Sequence, residues 1–545
     1  MTTRPLITAF VKKDCVHCER AKATLRDAGM AFFTKHDTDD DQHNADAAVY
    51  LSGKVTVPQI FMGDYPLGGA DDVGALWQTR RLRDIATTVD PHTRPEFAEL
   101  SDEELARGAE DIKFTEHIPP SDGTHTEDSE QWPILYMYRE FFGFWPHTFV
   151  YLHHWPEAYK RFVYCQNAAA IGMGKNILDV QLLSAVAYTT SNAHGCNYCQ
   201  VHSVATLGDE SMDAVEQLRL ARIGQHSEDN PFDEYWVSLA DLSAMASLNT
   251  VPEGYLDRLR HLAQTSEHQP ANVNEQIMAI ALISASFGFL NVFNDLMGMD
   301  IEGGWATRAK ERLDLDFGRH AVNEDRNPDN LSHELPTGGP TMEQMMGKYA
   351  AEVGDLTAYA ITHFGLIPSW LSGYPPQMRP LQAALYGAMM SQKEDSSITP
   401  ELKHLLAYVA HIEKGHVTLA HTEACIAHHV AADRPRTLQR LQHSFAVASG
   451  RGVHVALFSE AERAALCLAY LSAQTPLITP RRFVQPVMEH FDAQTCVELF
   501  VVCGIASMIQ RFAAIMTPPQ DPVVDAFVAE HNLSTDLQVL RFPLY

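Results

Sequence analysis

The chain has 545 residues, 46% of them hydrophobic and 20% charged, which is typical of globular protein. Its formal net charge of -28 gives an acidic surface that repels phosphate backbones and anionic lipid, so we expect neither nucleic acid nor a membrane surface as a partner. This length exceeds what one hydrophobic core usually holds, and we expect three or four packed units.

The sequence shows no secretory or membrane-spanning signal. Residues 1–5 lead directly into a strand-like run at 6–11, without the charged and apolar regions of a signal peptide. The most apolar stretch, 499–516, contains Gln510 and Arg511 and is marginal in length for a bilayer span. We therefore expect a soluble, cytoplasmic protein.

The cysteines carry information about function. There are nine, an odd number spread over a long chain, which is not the pattern of a secreted disulfide framework. Random placement would give only about 0.15 CxxC pairs, yet Cys15/Cys18 and Cys196/Cys199 both occur. Two such pairs favour a redox or metal-binding role.

The first pair, Cys15 and Cys18, follows a predicted strand and opens a predicted helix, within βαβ-like alternation up to about residue 81. A helix N-terminus stabilises a thiolate through its free N–H groups and its dipole. We predict that Cys15 is the nucleophile and that Cys18, one turn into the helix, resolves the mixed disulfide.

Two further motifs, Thr56-Val57-Pro58 and Gly68-Gly69-Ala70-Asp71-Asp72, make this region resemble the glutaredoxins over residues 4–82. The resemblance implies a thioredoxin-like α/β fold, a cis-proline segment facing the dithiol, and glutathione as the reductant, with no bound cofactor. The glutathione groove that it implies is lined by Lys12, Thr56, Val57, Pro58, Gly69, Asp71 and Asp72. Val16 and His17 stand where dithiol glutaredoxins usually have Pro-Tyr.

Other interpretations of this first pair are weaker. A buried cysteine pair in an unrelated domain would not explain three motifs in the family's order. A zinc site would need a second pair of ligands, which this region does not offer. A monothiol, cluster-carrying glutaredoxin is disfavoured because Cys18 is present.

Beyond residue 83 we predict an acidic polar linker at 84–131 with some helix around 102–108, a helical block at 132–322, a second linker at 323–340 and a second helical block at 341–545. The blocks look like copies. Phe142-Gly143 recurs as Phe364-Gly365, and Cys199-x-x-His202 recurs as Cys425-x-x-His428. In this alignment Thr422 takes the place of Cys196, so we expect the second copy to be a degenerate, structural half.

The second pair, Cys196 and Cys199, is followed by His202 at helical spacing, so the three side chains share roughly one helix face. A histidine one turn from a thiol can take its proton or stabilise the thiolate. One sulfur can then attack a peroxide or disulfide while the other closes the bridge.

The string Gly195-Cys196-Asn197-Tyr198-Cys199-Gln200-Val201-His202 resembles the alkylhydroperoxidase D and carboxymuconolactone decarboxylase superfamily, which is all-helical. The resemblance implies that Cys199 is the reactive thiol, Cys196 its disulfide partner and His202 part of a proton relay. The family's upstream glutamate would align near Ser184, and we assign the relay acid to the nearest upstream acid, Asp179. Zinc binding by Cys196, Cys199 and two distant histidines is the alternative.

These features predict a glutathione-linked thiol oxidoreductase, a peroxidase or disulfide reductase whose helical dithiol is reduced by the fused glutaredoxin domain. We expect glutathione and a peroxide or disulfide as its small-molecule partners, and a homodimer or homotrimer. Two other functions stay open: a non-redox enzyme acting on a lactone or carboxylate, and a redox sensor that acts on a protein partner.

Overall fold

We describe the chain from a computed structural model, over residues 6–30, 33–121, 127–142, 145–205, 208–225, 230–322, 335–392, 396–451 and 455–544. Gly143 of the first repeated motif and most of the predicted linker at 323–340 lie outside these residues. The chain divides into two compact units. Unit 1 contains Met1–Ile112, Pro435–Phe491 and Phe527–Tyr545, and unit 2 contains Lys113–Arg434 and Asp492–Ala526.

The four strands are β1 (Ile7–Val11), β2 (Phe33–Asp37), β3 (Gln59–Met62) and β4 (Tyr65–Gly68). The helices of the first half are α1 (Val16–Asp27), α2 (Gln42–Ser52), α3 (Ala70–Gln78), α4 (Arg81–Thr88), α5 (Asp102–Ala109), α6 (Trp132–Phe142), α7 (His147–Leu152), α8 (Pro156–Arg161), α9 (Ala168–Ile177), α10 (Val180–His194), α11 (Asn197–Ala205), α12 (Asp209–Arg222), α13 (Glu234–Leu248), α14 (Tyr255–Leu262), α15 (Val273–Met297) and α16 (Gly303–Leu313).

The helices of the second half are α17 (Met342–Val353), α18 (Leu356–Phe364), α19 (Ser369–Gly373), α20 (Arg379–Tyr386), α21 (Pro400–Lys414), α22 (Val417–Val430), α23 (Arg434–Ala448), α24 (Glu460–Ser472), α25 (Arg481–His490), α26 (Ala493–Met516), α27 (Pro522–Glu530) and α28 (Leu537–Arg541). Two π-helical segments, Phe162–Asn167 and Gly387–Ser391, lie directly before α9 and directly after α20.

Unit 1 contains a single described sheet, with strand order β2-β1-β3-β4. β1 is parallel to β2 and antiparallel to β3, and β3 is antiparallel to β4. The apolar residues of β1 and β3 are buried, as expected of central strands covered on both faces. This small four-stranded α/β sheet agrees with the predicted thioredoxin-like fold, and the rest of the described chain is mostly helical.

The segment predicted as a polar linker is partly packed. Phe97 and Leu105 are buried in a core cluster with Phe10 and Phe61 of the sheet. A capping box at Ser101 starts α5. The predicted helix is present as α5, but the prediction that 84–131 is a free tether is corrected for this packed stretch. The high content of charged residues indicates a linker. Two well-placed apolar side chains are nevertheless enough to attach a short helix to the sheet.

Unit 2 is built around two long apolar helices, α15 and α26, which pack against each other along their length. Both are long and apolar enough to cross a membrane by length and composition. In the most apolar window of each, 83% and 89% of the residues are buried inside the protein, which is the environment of core helices.

The helices of the two blocks recur in the same order. α10 and α21 have 15 residues each, and both end at a glycine in the left-handed conformation, Gly195 and Gly415. The offset between the blocks at this point is therefore 220 (415 − 195). His416, and not Thr422, stands at the position of Cys196. The alignment on Cys425 was wrong because it matched residue letters, whereas the helix C-cap fixes the register.

Close approach of α15 and α26 depends on glycine. A Cβ atom on Gly288 would lie 2.8 Å from the carbonyl oxygen of Ser507 and 3.1 Å from the Cα atom of Met508. Across the same interface, a Cβ atom on Gly504 would lie 2.9 Å from the ring of Phe289. Backbone atoms cannot move aside as a flexible side chain can, so Gly288 sets the distance between the two helices.

We expect Gly288→Ala to lower the stability of unit 2 by about 1–3 kcal/mol, because the added methyl group forces the backbones of α15 and α26 apart. Gly172→Ala is the matched control: Gly172 lies in α9, and a Cβ atom there meets nothing within 4 Å. That variant should be neutral or more stable by up to about 1 kcal/mol. Thermal unfolding midpoints of the two variants provide the comparison, and equal midpoints would contradict the proposed backbone clash.

Candidate functional site

The first dithiol lies where β1 passes into α1. Cys15 is the N-cap residue of α1, and its sulfur accepts a hydrogen bond from the backbone N–H of Cys18 at 3.1 Å. The two cysteines form a disulfide with a Cα–Cα distance of 5.2 Å. Cys15 keeps 8% of its surface exposed and Cys18 has none. The geometry places Cys15 on the outer side, where an incoming thiol can reach it.

The predicted glutathione groove is assembled from separate segments of unit 1. The Val57–Pro58 peptide bond is cis. Gly69, at the start of α3, lies beside it, since a Cβ atom on Gly69 would be 3.7 Å from the carbonyl oxygen of Pro58. Thr56 and Lys12 are exposed. The structure thus brings the Gly-Gly turn next to the cis-proline segment.

The two acids of the predicted groove already have cationic partners. The carboxylate of Asp71 lies 2.6 Å from the guanidinium of Arg20, and both side chains are exposed. Asp72 is more enclosed: one oxygen accepts the N–H of Gly69 at 2.9 Å, and the other lies 2.6 Å from the guanidinium of Arg541. Both oxygens of Asp72 are therefore occupied.

The second dithiol lies where α10 passes into α11. Gly195 ends α10, Cys196 follows it, and the backbone N–H of Cys199 points to the sulfur of Cys196 at 3.4 Å. The amide Nδ2 of Asn294, from α15, donates to the sulfur of Cys199 at 3.2 Å. Both cysteines are buried and reduced. The arrangement resembles the first dithiol, with one sulfur at the start of a helix and the other one turn inside.

The carboxylate that contacts His202 is Glu302. The two side chains meet at 2.9 Å, between Nε2 of His202 and Oε2 of Glu302. Tyr198 donates its hydroxyl to the other oxygen of Glu302 at 3.1 Å, and the backbone N–H of His147 donates to the same oxygen at 2.9 Å. Nδ1 of His202 also faces an acceptor, the carbonyl of Tyr198 at 2.8 Å, so an oxygen lies beside each ring nitrogen.

Asp179, predicted as the acid of the relay, has a different role in the structure. It is an exposed N-cap residue whose side chain accepts the backbone N–H of Gln181 at 2.8 Å at the start of α10. Asp179 is thus a helix cap, and the acid that the structure places beside His202 is Glu302. The nearest acid upstream in sequence is not the nearest in space, because the segment that carries Glu302 lies 100 residues after His202 (302 − 202) and returns to it only through folding.

A second polar cluster lies behind Cys196. Oδ1 of Asp295 is 2.9 Å from Nε2 of His320, and Oδ2 is 3.3 Å from Nε2 of His194. Burial lowers the pKa of His194 to about 4. For Asp295, burial on its own would raise the pKa, but the hydrogen bonds from His194 and His320 outweigh it and hold the pKa below its usual value.

This cluster is also the place where a metal ion could be held. Among the residues that the structure describes, donor atoms of Cys196, Asp295 and His320 lie within 4.8 Å of one another. A thiolate, a carboxylate and an imidazole suit Zn²⁺. Asp295 and His320, however, already bond to each other, and the buried guanidinium of Arg511 supplies positive charge to the same group of acids.

A cavity of about 160 Å³ opens beside Cys199. Its lining is mostly apolar, with Ile171, Leu183 and Ile283 among its walls, and includes His202 but not Cys196. A small organic molecule in the cavity would therefore meet the sulfur of Cys199 with His202 beside it. Cys196 would be out of its reach.

The sequence prediction did not include the polar partners of the second dithiol, although the sequence contains a signal for them. Asn291, Asn294 and Asp295 are polar residues at i, i+3 and i+4 in a helix that is otherwise strongly apolar, so they share one face. Arg511 stands likewise in the most apolar part of α26. A charged or amide side chain in the middle of a buried helix is expected to have a specific partner.

The second helical block has buried polar groups but no second dithiol at the matching position. His404 lies 2.6 Å from Glu423 through its Nδ1 atom and 3.0 Å from the hydroxyl of Ser391 through Nε2. Tyr386 donates to the other oxygen of Glu423 at 2.6 Å. These four side chains satisfy one another, and this closed network connects α20, α21 and α22.

The sheet, the cis-proline segment and the dithiol at the start of α1 define a thiol–disulfide oxidoreductase domain of thioredoxin-like fold. The glutaredoxin family model matches residues 7–65, and through this domain the chain belongs to the glutaredoxin family. Membership implies glutathione-linked thiol chemistry without a prosthetic group.

The chain is similar to several known proteins. Glutaredoxin 3 of Escherichia coli strain K12 is 36% identical over 70 residues, which are 13% of this chain and 83% of that protein. Hybrid peroxiredoxin hyPrx5 of Haemophilus influenzae is 37% identical over 70 residues, which are 12% of this chain and 27% of that protein. Among solved structures, the debrominase Bmp8 with 2,3,4-tribromopyrrole matches with a TM-score of 0.28 and 18% identity, over 33% of this chain and 92% of that one.

We expect Arg541→Ala to lower the KM for glutathione about two- to tenfold, because it frees one oxygen of Asp72 for the ammonium group of the γ-glutamyl end. The measurement is reduction of a small disulfide by the full chain, coupled to NADPH consumption through glutathione reductase. Arg20→Ala is the control, since its exposed ion pair with Asp71 is screened by water. A higher KM in Arg541→Ala would show instead that the guanidinium binds a carboxylate of glutathione.

The Glu302 carboxylate should make stability depend on pH. Burial on its own would raise the pKa of Glu302, but His202 and His147 outweigh it and lower the pKa from 4.5 to about 2. A lowered folded-state pKa stabilises the protein above pH 4.5, and this stabilisation is lost as the pH falls towards 2. The unfolding free energy of Glu302→Gln should therefore fall by about 3 kcal/mol less than that of the parent when the pH is lowered from 5 to 2.

Urea unfolding of unit 2 at a series of pH values below 5 measures this slope. Asp179→Asn, which keeps an oxygen at the N-cap of α10, should retain the parent slope. An unchanged slope in Glu302→Gln would mean that the carboxylate does not interact with His202 in solution.

Proposed function

We propose that the protein is a glutathione-linked thiol peroxidase in which the helical dithiol reduces an organic hydroperoxide and the glutaredoxin domain restores it. The observation that carries the proposal is the placement of Cys199 and His202 in the wall of an apolar cavity, with Cys196 directly behind. The proton donor and the resolving thiol thus each lie within about one helical turn of the nucleophile. The resemblance of residues 195–202 to the alkylhydroperoxidase D superfamily supports the same chemistry.

In the first step the thiolate of Cys199 attacks the terminal oxygen of the hydroperoxide. A sulfur–oxygen bond forms, the oxygen–oxygen bond breaks, and Cys199 becomes a sulfenic acid while the peroxide is reduced to an alcohol. The leaving alkoxide takes a proton from His202, which Glu302 contacts at 2.9 Å. The apolar lining of the cavity favours an alkyl or aryl group over a small polar peroxide.

In the second step the sulfur of Cys196 attacks the sulfur of Cys199. A disulfide forms, and hydroxide leaves and is protonated to water. Burial raises the pKa of Cys196 well above its usual value, so this thiol is the weaker nucleophile at neutral pH. That difference suits a resolving cysteine, because it does not compete for the peroxide.

The third step returns two electrons to the helical site. The thiolate of Cys15 attacks the disulfide, Cys18 resolves the mixed disulfide, and the helical dithiol is released in its reduced form. Two molecules of glutathione then reduce the Cys15–Cys18 disulfide and become glutathione disulfide. The similarity to a protein named a hybrid peroxiredoxin supports a pairing of glutaredoxin and peroxidase activities in one chain.

We expect Cys199→Ser to abolish glutathione-dependent hydroperoxide consumption, a loss of at least about 100-fold, because no other thiol replaces the nucleophile. Cumene hydroperoxide, glutathione, glutathione reductase and NADPH provide the assay. Cys503→Ser is the matched control: its cysteine is buried in α26, and activity should stay at the parent level.

Cys15→Ser separates the two halves of the cycle. It should lose turnover with glutathione and keep turnover with dithiothreitol, which can reduce the helical disulfide directly. Full activity of Cys199→Ser would exclude the helical site as the peroxidase. Turnover of a lactone by fully alkylated protein would favour the non-redox enzyme, and oxidation-dependent protein binding without turnover would favour the sensor.

A further inference from the structure

Arg511 is a buried cation that the second helical block places at the dithiol of the first. It lies in α26, and only 2% of its surface is exposed. Its Nη1 donates to the hydroxyl of Thr190, in α10, at 2.9 Å. With the Asn291 amide oriented so that its oxygen faces the guanidinium, that oxygen accepts from Nη1 at 3.0 Å and from Nη2 at 3.2 Å. The guanidinium is thus fixed between α10 and α15.

The two residues that bind Arg511 lie on the helices that position the cysteines, α10 and α15. Thr190 stands one and a half turns before Gly195, where α10 ends and the dithiol begins. Asn291 is one turn before Asn294, which donates to the sulfur of Cys199 at 3.2 Å. The guanidinium therefore lies between the helix that ends at the dithiol and the face of α15 that holds Cys199.

The surrounding charges show what this cation faces. The titratable and charged groups around the dithiol are Cys196, Cys199, Asp295, Glu302, His194, His202, His320 and Lys414. Burial lowers the pKa of Arg511 to about 10, and Cys199, Cys196 and Asp295 oppose that shift. Arg511 thus keeps its charge at neutral pH. Burial lowers the pKa of Lys414 to about 7, so that lysine is a weaker source of positive charge.

We infer that Arg511 is a positioning residue of the redox site, whose buried charge stabilises the thiolate form of the Cys196–Cys199 dithiol. The inference rests on the proposed function of that dithiol. It gives the second helical block a role in the chemistry: the first block supplies the sulfurs and the second supplies the cation. A positive charge close to a thiol is a general means of making it nucleophilic at neutral pH.

The test is the pH dependence of thiol alkylation in the full chain, with the Cys15 and Cys18 site blocked by serine substitutions. Iodoacetamide labelling of Cys199 is followed by peptide mass spectrometry from pH 5 to pH 10. We expect Arg511→Met, which removes the charge and keeps most of the volume, to move the half-maximal pH upwards by about one unit and to slow labelling at pH 7 about tenfold. Arg511→Lys should restore most of the rate.

Two further variants keep the test decisive. Arg161→Met removes another buried arginine of unit 2, one that pairs with Glu157 and Glu352, and should leave the labelling profile of Cys199 unchanged. Thr190→Val removes one hydrogen bond to Arg511 without removing the charge. It should shift the profile in the same direction by a smaller amount, and it serves if Arg511→Met does not fold.

Superimposable profiles for Arg511→Met and the parent, or for Thr190→Val and the parent if Arg511→Met does not fold, would overturn the inference. The labelling readout does not depend on peroxide turnover. A shifted profile in a protein without peroxidase activity would therefore support the role of Arg511 and contradict the proposed function alone.

Discussion

The contact between α15 and α26 is the constraint on which the helical site depends. Gly288 allows the backbone of α26 to approach α15 so closely that one added methyl group would overlap the carbonyl of Ser507. At that distance a side chain from α26 can reach past α15 to α10, and Arg511 does so. A separation larger by even one methyl group would withdraw the guanidinium from Thr190 and leave a buried charge without its partners, which is far more costly than a lost surface contact.

The two dithiols have the same local geometry in two different environments. In each, the first cysteine stands before a helix and its sulfur faces the backbone N–H of the second. Cys15 is at the surface of a small sheet domain, where a soluble thiol can reach it. Cys196 and Cys199 are enclosed by helices, and a cavity reaches only Cys199. The surroundings of each pair, more than the pair itself, decide which substrates can arrive and which sulfur they meet.

Charge inside unit 2 is balanced locally. Glu302 faces His202 and His147, Asp295 faces His194 and His320, and Arg511 adds a cation between the helices. Glu302 and Asp295 thus each have two imidazoles beside the carboxylate. Such pairing is what allows ionised groups to exist in a core, because an isolated buried charge would be neutralised by a shift of its pKa.

The sequence by itself determined the features that are local in the chain. Cys15 with Cys18 and Cys196 with Cys199 could be found because helical spacing fixes which residues share a turn, and the glutaredoxin motifs follow one another over a short segment. Only the tertiary structure decided that Glu302 and not Asp179 faces His202, that His416 and not Thr422 matches Cys196, and that Arg511 reaches the site. Those pairings join segments from about 100 to more than 300 residues apart, and their geometry is set by how helices pack, which the periodicity of one segment does not specify.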